Sequence, residues 1–271
     1  MKIKIYVTFI GVIAIFALST LPMGTSASHS WGNYHWARTS NPFNLKIVDS
    51  NTPDWDSELN LAMSDWSVST VLNMIDGASD DLQRTRKRCP MVSGQVRSCN
   101  ASYGYNGWLG LASINISGSH ITQGYSKMND SYFNGGGYSE TNRRHVMCQE
   151  LGHTIGLGHT SEDGSDQNTC MDYSNDLGNP SPNSHDYQQL STIYQHLDST
   201  TTVGLALFNE NAYGDDPDAP HNWGRLVRQS ADGRSSFYEA ELGNGHRRAT
   251  HVFWTQEFAD RCRACDHRYD H

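Results

Sequence analysis

Apolar and polar residues alternate from Phe43 to Val48, which puts Phe43, Leu45 and Ile47 on one face and predicts a β-strand. The rhythm then changes. From Asp54 to Leu72, Trp55, Leu59, Leu61, Ala62, Trp66, Val68, Val71 and Leu72 recur at helical spacing, and Asp54 and Asp56 suit a helix N-terminus, so this stretch predicts an amphipathic helix packed on a sheet. Trp108 to Ile116 and Ile121 to Met128 read as two short strands joined by a Gly/Ser turn, forming a sheet edge able to hold an extended peptide. Residues 141–159 predict a helix that stops at a glycine. Asp186 to Leu197 predicts another, with Tyr187, Leu190, Ile193, Tyr194 and Leu197 on its apolar face.

Beyond Thr200 the pattern shifts again. Asn211 to His221 is rich in Asp and Pro, and Trp223 to Trp254 holds β-like runs such as Ser236-Phe237-Tyr238 and Thr250-His251-Val252-Phe253-Trp254. These patterns predict an α+β domain over residues 28–200 and a small β-rich C-terminal extension over residues 201–271. At the other end, Lys2 and Lys4, the apolar run Ile5 to Leu18 and the small residues Thr25-Ser26-Ala27 read as a signal peptide over residues 1–27, the run being short of the ~20 residues a membrane span needs. The expectation is a secreted chain without membrane attachment once the signal is removed.

Composition narrows the partners. The 271 residues carry a formal net charge of −9, and removing Lys2 and Lys4 leaves the remainder more acidic still, which argues against nucleic acid. The one basic cluster, Arg84 to Arg88, reads as a solvated loop. Six cysteines in an exported chain read as disulfides, with 15 connectivities open. Spacing suggests Cys89 with Cys99, Cys148 with Cys170, and Cys262 with Cys265, the last in preference to a small zinc site with His267 and His271.

The segment Cys148-Gln149-Glu150-Leu151-Gly152-His153-Thr154-Ile155-Gly156-Leu157-Gly158-His159 carries the chemistry. On a helix, residues 149 and 153 lie one turn apart on one face, so both side chains can reach a single ion with Glu150 beside it. Gly156 can take a positive φ and stop the helix, bringing His159 back toward the same point. Two imidazoles, a third ligand and a water make the open arrangement of a catalytic zinc site, in which Glu150 takes the proton of the attacking water.

This segment resembles the metzincin clan of zinc endopeptidases, whose pattern is His-Glu-x-x-His-x-x-Gly-x-x-His followed by a Met-turn, here Thr169-Cys170-Met171-Asp172-Tyr173. The resemblance covers roughly residues 43–197, includes Gly110-Leu111-Ala112 as the strand above the cleft, and is similar to matrixin-like members in element order. It implies a metzincin-like catalytic domain with a twisted mixed β-sheet, two or three helices and a Met-turn. It also implies a monomeric metalloendopeptidase acting on protein or peptide substrates. His153 and His159 would be zinc ligands, Glu150 the general base, Met171 a support beneath the metal, and Tyr173 a stabiliser of the oxyanion.

One departure stands out, because Gln149 replaces the first histidine of the pattern, making it a neutral oxygen donor weaker than imidazole. His145 lies about two turns from His153 and cannot substitute on a continuous helix. His120, near the neighbouring strand, is a further candidate donor. Two other readings stay open: a catalytically inactive, secreted peptide-binding protein on the metzincin fold, and a zinc-dependent hydrolase of non-peptide amides. Glu162, Asp163 and Asp166 form an acidic loop that is a candidate Ca2+ site.

Overall fold

The computed structural model describes residues 29–161, 165–172, 177–205 and 219–269. The signal-peptide reading, Tyr173, and Glu162 and Asp163 of the acidic loop lie outside the described residues. In chain order the elements are strands β1 (His35–Trp36) and β2 (Phe43–Ser50), helix α1 (Asp56–Trp66), strand β3 (Leu72–Asp76), helix α2 (Gln83–Arg88), strands β4 (Val96–Ala101), β5 (Trp108–Ser117) and β6 (His120–Asn129), and helices α3 (Asp130–Phe133), α4 (Glu140–Thr154) and α5 (Ser184–Ile193). Strands β7 (Arg225–Gln229), β8 (Ser235–Gly243) and β9 (His246–Trp254) and helix α6 (Gln256–Arg261) complete the described chain. No described helix is long and apolar enough to cross a membrane.

Eight strands run in the order β3-β2-β4-β6-β5-β9-β8-β7, and β1 joins as a second parallel partner of β6. The β3-to-β6 half is parallel and the β6-to-β7 half antiparallel, giving a mixed α+β architecture. Helices α1 and α4 lie together over the sheet, where the Trp66 indole N–H donates to the Cys148 carbonyl at 3.0 Å. Their apolar faces and the sheet enclose one core built around Trp31, Trp36, Trp55, Trp66 and Met171.

Several sequence expectations change in the folded chain. The helix predicted to Leu72 ends at Trp66, because the Ser67 hydroxyl donates to the Met63 carbonyl and accepts from the Met74 N–H, turning the chain into β3. The basic cluster at 84–88 is part of the exposed helix α2, capped by Cys89 at φ 47°. The predicted sheet edge at β5 is interior: β6 flanks one side and β9 the other, in antiparallel register from Trp108↔Trp254 to Ser117↔His246. Trp108 to Ile116 of β5 are also buried throughout. The β-rich segment after residue 201 thus continues the sheet instead of forming one of its own. All three suggested disulfides, Cys89–Cys99, Cys148–Cys170 and Cys262–Cys265, are present.

Candidate metal centre

Helix α4 starts with a reciprocal cap between Ser139 and Asn142 and runs into the core, so every residue from His145 to Thr154 is buried. Burial here extends to polar groups: Gln149, Glu150 and His153 are all fully enclosed. Two glycines permit this closeness. A Cβ on Gly152 would lie 2.5 Å from the Met171 sulfur, and one on Gly110 of β5 would lie 2.6 Å from Glu150 Oε1. Met171 therefore packs directly on the helix carrying the polar groups, held to it by the Cys148–Cys170 bond next door.

The helix stops where the sequence anticipates. Gly156 has φ 94°, and a Cβ there would fall 2.2 Å from the Tyr34 carbonyl oxygen, so only glycine fits. The turn that follows is pinned by the N-terminal segment, through Trp31 N–H to the Gly156 carbonyl at 2.8 Å and Gly158 N–H to the His29 carbonyl at 2.9 Å. His159 is thereby returned to His153, the two rings meeting edge to face with centroids 4.7 Å apart. His153 Nδ1–H donates to the Leu157 carbonyl at 2.9 Å, which leaves the Nε2 lone pair pointing inward without a hydrogen-bond partner. Trp31 stacks on the same ring and fixes its plane.

The third imidazole comes from β9. The His251 ring lies 4.0 Å from that of His153 and 4.9 Å from that of His159, centroid to centroid, and one ring nitrogen from each residue lies within 4.8 Å of the other two. His251 Nδ1 is 3.0 Å from Glu150 Oε2, and its Nε2 is 3.3 Å from the Ser235 hydroxyl of β8. Burial raises the Glu150 carboxyl well above its usual range and lowers His251 to about 3, with Arg228 adding to the latter. His153 and His159 are also driven well below the ordinary histidine value, by burial and then by neighbouring histidines. Burial thus favours the neutral form of all three rings, the form that ligates a metal.

Gln149 is held differently from a histidine. Its amide Nε2 donates to the Cys170 carbonyl at 2.9 Å and the Asp172 carbonyl at 3.3 Å, which turns the amide and leaves Oε1 buried with no hydrogen-bond partner. An unpartnered buried oxygen costs ~1–3 kcal/mol unless something electropositive faces it. The unpartnered His153 Nε2 beside two further imidazoles fits a zinc ion, and the unpartnered Gln149 Oε1, one helical turn before His153, is an oxygen donor of the kind such an ion takes.

The remaining sequence candidates lie elsewhere. His145 Nδ1 bonds the Asn179 carbonyl and its ring stacks on Phe253. His120 is not a fourth donor to this centre: as the first residue of β6 it joins His35 and Asp198 in a separate cluster. Asp166 Oδ1 accepts from Asn168 N–H and Asn179 Nδ2, both at 2.7 Å. His251 escaped sequence reasoning because its register depends on β9 pairing with β5. Its one local signal is a lone histidine at the head of the apolar run Val252-Phe253-Trp254.

A scan against protein families matches residues 39–195 to Metallo-peptidase family M12. A search of curated proteins finds no match. Among solved structures, the chain is similar to high choriolytic enzyme 1, a hatching-enzyme zinc protease from the medaka Oryzias latipes, at 14% identity and TM-score 0.34 over 61% of this chain and 96% of that one. Myroilysin matches at 12% identity and TM-score 0.35, over 58% of this chain and 82% of that one. Archaemetzincin from Archaeoglobus fulgidus matches at 12% and 0.32, over 54% and 99%. The matched segment holds Gln149, Glu150, His153 and His159 and ends before His251. By the family match, which spans more than half of its length, the chain belongs to metallo-peptidase family M12 and is metzincin-like.

Proposed function

We propose that the chain is a secreted zinc-dependent metalloendopeptidase that is held closed by its own strand β9. The observation that carries this reading is the placement of β9. It fills the edge of β5 along its whole length and brings His251 onto Glu150, beside His153 and His159. In this closed state His153, His159 and His251 would hold the zinc, with Gln149 Oε1 as a further donor. Three disulfides are in keeping with export.

When zinc is bound, it supplies Lewis acidity that polarises a carbonyl and acidifies a water. The rest of the chemistry belongs to the chain. Withdrawal of β9 frees the β5 edge, along which an extended peptide can pair by main-chain hydrogen bonds. Withdrawal also removes His251 from Glu150, whose carboxylate then takes the proton of the attacking water and returns it to the leaving amine as the peptide bond breaks. His153, fixed by Leu157 and Trp31, His159 and Gln149 stay in place, because none of them is carried by β9. Tyr173 remains the proposed stabiliser of the oxyanion and Met171 the proposed support beneath the centre.

A second reading has one observation in its favour: the Gln149 amide is tied to two backbone carbonyls as a core glutamine would be. On that reading the chain is a peptide-binding protein that does not cut. Hydrolysis of a generic protein substrate by zinc-loaded wild type, a variant ending at Leu205 and so lacking β9, and that variant with Glu150→Ala separates the two. Our reading expects the shortened variant to retain zinc with lower affinity and to gain activity over wild type that its Glu150→Ala form lacks. A zinc-loaded, folded shortened variant that cuts nothing would overturn it.

A further inference from the structure

A second cluster of imidazoles lies apart from helix α4. His35 on β1, His120 at the start of β6, and His196 and Asp198 in the segment after α5 come together from three regions of the sequence. Asp198 Oδ1 lies 3.4 Å from His35 Nε2, 3.3 Å from His120 Nε2 and 3.7 Å from His196 Nε2, and the His35 and His196 Nε2 atoms are 3.2 Å apart. A tetrahedral zinc site with metal–nitrogen bonds of 2.0–2.1 Å has ligand atoms about 3.3 Å from each other. Four of the six separations among these atoms lie near that value.

One contact of the cluster has no proton to share when the His35 ring is neutral. His35 Nδ1–H donates to the Asn33 carbonyl at 3.0 Å, so the neutral ring turns a lone pair, on Nε2, toward the Asp198 carboxylate and toward His196 Nε2. The other carboxylate oxygen is already committed: Asp198 Oδ2 accepts from Arg38 N–H at 3.1 Å and from Arg38 Nη1 at 2.9 Å. Arg38 also donates to the Tyr194 and His196 carbonyls, which fixes the segment carrying two of the four groups. The free oxygen therefore faces three imidazoles on a braced frame.

We propose that His35, His120, His196 and Asp198 bind a divalent transition-metal cation of the zinc class, at a site separate from the His153 centre. Three imidazoles and one carboxylate oxygen are the donor set that zinc favours over calcium or magnesium, and four protein ligands leave no open position, so the ion's role is structural. His35 and Asp198 form its buried side, and the more exposed His120 and His196 leave a route for entry from solvent. Bound there, the cation ties β1 to β6 and to the tail of α5. This steadies the N-terminal segment whose Trp36 indole donates to the Thr154 carbonyl at the end of α4.

The test is zinc stoichiometry on the full secreted chain, stripped with chelator and reloaded with Zn2+, for wild type, His120→Asn with His196→Asn, and His153→Asn with His159→Asn. The expected result is one equivalent fewer in the His120/His196 variant than in wild type. A stoichiometric equivalent should survive in the His153/His159 variant, and the rise in Tm on adding Zn2+ should shrink only when the His120/His196 pair is changed in that background. The single change His196→Asn, at a half-exposed side chain, guards against misfolding and should weaken this equivalent by more than the ~10–100-fold that an outer-shell change costs. A folded His120/His196 variant that binds as much zinc as wild type, or a folded His153/His159 variant that binds none, would overturn the proposal.

Discussion

The two histidine clusters differ in how they meet solvent. The His153 centre is sealed: Glu150 and the three imidazoles are buried, and β9 lies across the only edge of β5 not paired with β6. The His35 cluster is half open, with His120 and His196 reaching the surface and its carboxylate braced by Arg38. The difference separates two uses of similar donors. At the open cluster the proposed ion would meet solvent directly and no carboxylate placed like Glu150. On the proposed reading the sealed centre, which has Glu150, must be opened before a peptide reaches it.

The largest expected effect is confined to the sealed centre. In the variant ending at Leu205, which lacks β9, adding Glu150→Ala should lower the hydrolysis rate by ~10²–10⁴-fold, the usual contribution of a positioned general base, with zinc content unchanged. Equal loss from His196→Asn in the same assay would erase the distinction between the clusters. Next in size is the Cys148–Cys170 bond, which fastens α4 to the Met171 segment. Replacing both cysteines with alanine should destabilise the chain by ~2–4 kcal/mol by denaturant unfolding, and should weaken zinc at the sealed centre more than at the open one.

Gly156→Ala follows. The left-handed backbone at residue 156 and the Tyr34 carbonyl 2.2 Å from the added methyl carbon predict a loss of more than about 1 kcal/mol, measurable as a fall in Tm. The smallest effect concerns the latch between the N-terminal segment and β8, where the Tyr34 hydroxyl donates to Glu239 Oε1 at 2.9 Å. Tyr34→Phe should cost ~1 kcal/mol near neutral pH. Burial, then the bond to Glu239, pushes the phenol up to about 12 from 10.0. The unfolded chain thus loses this proton first, so the folded state is favoured below pH 10 and that advantage drains away as pH rises from 10 toward 12. The Phe variant should lack that component of alkaline destabilisation.

Local chemistry was legible and strand order was not. The spacing of Gln149, Glu150 and His153, the stop at Gly156 and the return of His159 follow from the pitch of one helix and one turn, so the sequence carries them directly. The pairing of Cys148 with Cys170 follows for the same reason, both residues lying in segments already tied by that chemistry. Leu72 was drawn into α1 because its apolar spacing continues the helical rhythm, while the break depends on Ser67 bonding both Met63 and Met74. His251, His35 and His196 stand alone in their segments. They become ligand candidates only when β9 pairs with β5, when β1 pairs with β6, and when Arg38 anchors Asp198. Gly110 illustrates the same limit: its need for a hydrogen side chain comes from Glu150, which reaches it only after α4 packs on β5.

The most direct measurement of the closed centre is anomalous diffraction at the zinc edge from crystals of the zinc-loaded wild-type chain. The account predicts an anomalous peak within bonding distance of His153, His159 and His251 and of Gln149 Oε1, with β9 still paired to β5. A zinc peak bound by His153 and His159 with His251 outside bonding distance and a water in its stead would contradict it, as would a fully loaded chain with no peak at that centre.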